Sequence, residues 1–130
     1  MNSDKRAALI TQLHALPHSG VLAVTGGGVL LLADLLTVPG ASATVLDARI
    51  PYAAGALAEF IGATPEQACS AHTACDIAMA SWQRALTLAT GDPEYRFGLG
   101  CTASLATAAI KRGEHRAHVA LQTLTQTRTW

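Results

Sequence analysis

Between Asp4 and Leu16, apolar side chains recur every three residues, at Ala7, Ile10, Leu13 and Leu16. That is the period of one helix face. Ser3 or Asp4 can cap this helix, and Pro17 to Gly20 ends it. The pattern then becomes continuous. Val21 to Thr25 is an apolar run without polar alternation, which predicts an interior parallel strand. Gly26-Gly27-Gly28 forces a turn, and the leucine-rich stretch from Val29 to Thr37 predicts a helix. Pro39-Gly40 turns the chain again. Val45 to Tyr52 reads as extended, and Ala53 to Ile61 as a short helix stopped at Gly62. Thr64-Pro65-Glu66 has the form of a helix start, with threonine at the cap and proline at the first position. The longest helix begins at Ser70 or Thr73 and runs to about Ala89, closed by Gly91. Phe97 to Thr102 is a second short apolar strand, and Ala103 to Gly113 a loop or partial helical turn. From His115 to Thr125 the chain alternates, with His115, Ala117, Val119 and Leu121 on one face, so it predicts a strand.

Strands alternating with helices define an α/β chain, here a three-layer α/β/α domain with a mostly parallel sheet. The 130 residues make a single domain, 1–130. The chain ends in the polar run TQTRTW, with no helix predicted after the last strand. A parallel sheet is normally covered on both faces. The expectation is therefore a domain without its last helix, truncated at its C-terminus, or one whose bare face is covered by a second copy or a partner domain.

Composition narrows the function classes. Lysine plus arginine and aspartate plus glutamate both count 9, and the formal charge is zero. Nucleic-acid and membrane-surface binders rely on net positive charge, so neither is expected. Val21 to Val38 is apolar enough to resemble a membrane span, but three glycines and Asp34 argue against one. The N-terminus has no apolar core of signal-peptide type. The 3 cysteines form no CxxC pair, which fits reduced thiols packed as small hydrophobes in a cytoplasmic protein. His14 and His18 have HxxxH spacing, but Pro17 breaks the helix that would align them. The histidines therefore read as surface residues, and no metal or cofactor is expected.

Three segments carry candidate chemistry. TGGGVL follows a strand and opens a helix, so the backbone N–H groups of Gly26, Gly27 and Gly28 could hold an anion; the plainer alternative is a tight turn needing positive φ. In PGAS, Ser42 is a nucleophile if a base lies within reach, and otherwise a capping serine. Tyr52, at the end of an extended segment, could orient or deprotonate a neighbour. The segment KRGEHRAH, Lys111 to His118, concentrates charge that is scarce elsewhere. Lys111 and Arg116 could clamp a phosphate, or the charges could protect a solvated strand edge.

The order of these features resembles the C-terminal domain of the CinA family. The pattern there runs ESCTGG, a helix, GSS, a strand ending YSNEAK, a TGIAGP turn and KPVGTV. The corresponding stretches here are AVTGGG, PGAS, PYAAGAL, CTASLAT and KRGEHRAHV. PGAS-x-TVL-x-A-x-x-PY and K-x-GEHR look closer still to a divergent branch of CinA-like domains, found beside nucleotidyltransferase-like domains. The resemblance implies an α/β/α domain that hydrolyses the carboxamide of nicotinamide mononucleotide to nicotinate mononucleotide and ammonia. It places Ser42 as nucleophile and Tyr52 as its proton partner, with Thr25 and Thr102 on the ligand. The family's lysine falls on Leu57, which cannot move a proton, and its YSN asparagine falls on Ala54. General base help contributes ~10²–10⁴-fold, so the same pattern also fits a non-catalytic nucleotide-binding or assembly module. Both readings stay open on sequence.

Overall fold

The computed structural model describes residues 2–104 and 116–130. Helix α1 spans Ser3–His14 and is capped by Asn2, whose side chain accepts the Lys5 N–H at 2.8 Å. Strand β1, Ser19–Thr25, is buried along its whole length, as its uninterrupted apolar run requires. Helix α2 is Val29–Thr37. A single 3-10 turn at Ala41–Ala43 leads into β2, Val45–Arg49. Helices α3, Ala54–Ile61, and α4, Ala71–Leu88, follow. Ser70 caps α4, its hydroxyl accepting the Thr73 N–H at 3.0 Å. The chain then forms β3, Arg96–Ser104, β4, Arg116–Gln122, and β5, Thr127–Thr129.

These strands make one sheet in the order β2-β1-β3-β4-β5. It is parallel across β2, β1 and β3, and antiparallel beyond. Its two faces are visible in alternate residues of β1. Leu22 and Val24 pack with Ile10 of α1 and with Leu32 and Leu35 of α2. Ala23 packs with Leu57 of α3 and Ile77 of α4 on the other side. The architecture is the α/β/α arrangement expected.

Helix α4 lies close against β3 because β3 is bare there. A Cβ at Gly100 would sit 2.4 Å from the Ala74 carbonyl oxygen, and one at Gly98 would sit 2.2 Å from that of Ala78. The alanines Ala74 and Ala78 meet Ala120 of β4 in the same layer. On the opposite face, α1 and α2 pack over β1 and β2 and reach β3 and β4 through Leu99, Cys101 and Val119. Among the described residues, Phe97, Leu99 and Leu121 floor an apolar groove of about 380 Å³, walled by Leu13, Leu16 and Leu31. No described helix is long and apolar enough to cross a membrane.

Four expectations are corrected. Thr64-Pro65-Glu66 starts no helix. The stretch after it is pinned irregularly, with Thr73 donating its hydroxyl to the Gln67 carbonyl and Thr102 donating to that of Ala68 at 2.6 Å. The last strand stops at Gln122 rather than Thr125. The polar end forms β5 because it pairs with β4, which its own composition does not announce. Finally, His14 is buried, not at the surface. Its Nε2–H donates to the Leu35 carbonyl at 2.9 Å, and Nδ1 meets the Thr44 hydroxyl at 2.7 Å, so it ties α1 to α2 and to the entry of β2.

Candidate functional site

The chain leaves β1 to one side, through α2 into β2, and returns on the other, through α3 and α4 into β3. Strand order therefore reverses beside β1, and ligands of open α/β sheets bind outside the carboxyl ends of strands at such a point. Thr25 and Thr102 stand there as register partners on β1 and β3.

The glycine turn closes this end of the sheet. Gly26 has φ 76°, and a Cβ on it would fall 2.0 Å from the Ala103 carbonyl oxygen. Gly28, at φ 94°, is the N-cap of α2 and supplies no side chain to its first N–H groups. The turn requirement is thus real, and among the described residues no side chain caps the first N–H groups of α2. Thr25 is 6% exposed, and its hydroxyl makes no hydrogen bond among the described residues. Thr102, by contrast, is 1% exposed and commits its O–H to the Ala68 carbonyl.

Arg116 opens β4 opposite Ser104, and His118 lies opposite Thr102, so both reach the same end of the sheet. Cys69 donates its thiol to the Arg116 carbonyl at 3.7 Å, tying the approach to α4 to this edge. Lys111, the other half of the expected clamp, lies outside the described residues.

Ser42 and Tyr52 are not brought together. The exposed Ser42 sits in the 3-10 turn before β2, level with the start of β1, since Val45 pairs with Gly20. Tyr52 follows the far end of β2 and is 75% exposed. The 5 residues of β2 lie between them, and the steps from Val45 to Arg49 alone span about 13 Å at ~3.3 Å each. A base must be within ~3 Å of the proton it takes. Leu57, where the family lysine falls, is 2% exposed and packed between Ala23 and Ile77.

A second polar cluster, at β2, was not singled out in the sequence. The β1–β2 register passes from Gly20↔Val45 to Val21↔Asp47, skipping Leu46. This bulge turns Asp47 and Arg49 to the α4 face while Val45 and Ala48 pack with α1 and α2 on the other. Asp47 Oδ2 then accepts from Arg84 Nε of α4 at 2.7 Å and from Arg49 Nε at 2.9 Å. Burial is the largest single influence and opposes ionisation of Asp47, but the hydrogen bonds and positive charges of Arg84 and Arg49 together hold the carboxyl below its ordinary value. D-x-R in a strand was the only sequence signal, and Arg84 lies 37 residues from Asp47.

The same fold is found in solved structures of the competence/damage-inducible type. A competence/damage-inducible protein from Agrobacterium tumefaciens superposes with a TM-score of 0.76 at 20% identity, covering 98% of this chain and 78% of that one. CinA superfamily proteins from Escherichia coli and Klebsiella pneumoniae each give 0.71, at 16% and 17% identity. They cover 98% and 100% of this chain, and 74% and 81% of theirs. No family model matches the sequence, and no curated protein matches it in sequence. The fold is therefore CinA-like.

Proposed function

We propose that this CinA-like domain is a non-catalytic binding module for a small nucleotide such as nicotinamide mononucleotide. The ligand would lie at the carboxyl ends of β1 and β3. The observation that carries this reading is the separation of Ser42 from Tyr52 by the whole of β2, together with an apolar residue in the family's lysine position. Hydrolysis of a carboxamide needs an activated nucleophile, and among the described residues no hydrogen bond joins Ser42 to a base; the imidazole of His14, which lies nearby, is spent on Thr44 and Leu35. What is retained suits an anion. Gly26, Gly27 and Gly28 present the open N-terminus of α2, the unpaired Thr25 hydroxyl stands beside it, and Arg116 supplies positive charge at the same sheet end, with Lys111 as its proposed companion. Assembly through the apolar groove beside α1 and α2, as a homo-oligomer or against a partner domain, belongs to the same reading.

Calorimetry with nicotinamide mononucleotide, beside an ammonia-release assay, tests it. The expected result is saturable binding without ammonia release, weakened several-fold by Thr25→Val, which keeps the shape and removes the hydroxyl. Ammonia release that disappears in Ser42→Ala would replace this reading with the amidohydrolase one. Absence of binding would remove both for this chain.

A further inference from the structure

Away from that site, a cleft of about 470 Å³ opens between the end of β2, α3 and α4. Its polar wall is formed by Arg49 and Arg84, its apolar wall by Ile50, Phe60 and Ala80, and Glu59 stands at its rim. Each arginine spends its Nε on the single Asp47 oxygen. No Nη atom of either has a hydrogen-bond partner among the described residues. Arg49 is also placed over the Phe60 ring, with Cζ 6.0 Å from its centroid. One carboxylate thus holds two guanidinium groups side by side, with their outer edges unspent and an aromatic ring adjacent.

We infer that this cleft binds a monocarboxylate with an apolar body, its carboxylate on the Nη edges of Arg49 and Arg84 and its hydrocarbon against Phe60, Ile50 and Ala80. Two guanidiniums offer the paired N–H donors that suit a planar carboxylate. The charge balance selects among anions. Asp47 cancels one arginine and Glu59 the other, so a phosphate dianion would enter a lining without net positive charge. A monoanion asks less of it. The β2 bulge is what makes the site, because without the skipped Leu46 Asp47 and Arg49 would face away from Arg84.

Phenylacetate, acetate and phenyl phosphate, each titrated into the full chain and followed by amide chemical shifts, give the test. Expected are saturable shifts around Arg49, Phe60 and Ala80, with phenylacetate binding tighter than either comparator. Arg84→Gln, which leaves Asp47 paired to Arg49, should weaken phenylacetate by about tenfold or more. Ala80→Phe should block it by filling the cleft while keeping both charges. Arg116→Gln should leave it unchanged, which separates this cleft from the nucleotide site. Absence of saturable shifts, affinity unaltered in Arg84→Gln and Ala80→Phe variants that remain folded, or tighter binding of phenyl phosphate would each overturn the proposal.

Discussion

Asp47 shows how one side chain sets a local electrostatic state. Desolvation alone would raise its pKa above the usual 3.8, yet the hydrogen bonds and charges of Arg84 and Arg49 together leave it lowered. The folded protein therefore binds this proton less tightly than the unfolded chain does. The stability linked to it is complete above that ordinary, unfolded value of 3.8 and is lost as pH falls through the lower folded value. Asp47→Asn should flatten the acid limb of a urea-midpoint series run from neutral pH to about pH 2. At neutral pH the same variant should cost about 1 kcal/mol, since the arginines remain partly solvated. A wild-type acid limb in the variant would assign the acid sensitivity to other groups. None of this was legible in the sequence: Asp47 and Arg49 lie two apart on an ordinary strand pattern, and the bulge that aims them at Arg84 leaves no composition signal.

At the scale of elements, the contact of α4 with β3 is the most demanding in the fold. Gly98 and Gly100 drew no notice in the sequence beyond a short apolar strand, whereas in the structure they are the floor on which α4 lies. Ordinary carbon–oxygen contact is above 3 Å, so a Cβ 2.4 Å from the Ala74 carbonyl oxygen cannot be absorbed by a side-chain rotation. Gly100→Ala must move the helix backbone, and we expect it to cost at least ~3 kcal/mol, measured by chemical denaturation. A loss below ~1 kcal/mol would mean that α4 shifts freely on the sheet. Helix and strand positions were otherwise largely readable: β1 is apolar throughout because it is buried throughout, while of the predicted α1 face only Ile10 is buried and Leu13 half-buried, with His14 taking the place of the exposed Ala7 and Leu16. Thr64-Pro65-Glu66 failed as a helix start for a tertiary reason. The hydroxyls of Thr73 and Thr102 take the carbonyls of Gln67 and Ala68, and local propensity is too weak to compete.

At the scale of the whole molecule, the apolar groove beside α1 and α2 makes a measurable demand. Leu16 is 49% and Leu31 38% exposed at the wall of the groove, and Leu30 beside them is 79% exposed. Exposed apolar surface is a general feature of association sites, and assembly through this groove is part of the proposed reading. If copies of the chain associate through it, sedimentation equilibrium should give a mass above the 13.4 kDa of one chain, and Leu31→Glu should return it to that value. A monomeric wild type would leave the face to a partner domain. The amino-acid sequence by itself determined the α/β class, the glycine turn at the end of β1 and the lack of a lysine at position 57. These are consequences of hydrophobic period, backbone sterics and residue identity, all of which are local. Only the tertiary structure decided that His14 is buried, that Thr25 and Thr102 stand as register partners at one end of the sheet, and that Asp47 gathers Arg49 and Arg84. Strand direction and register fix those relations, and both are set by pairing between segments distant in the chain.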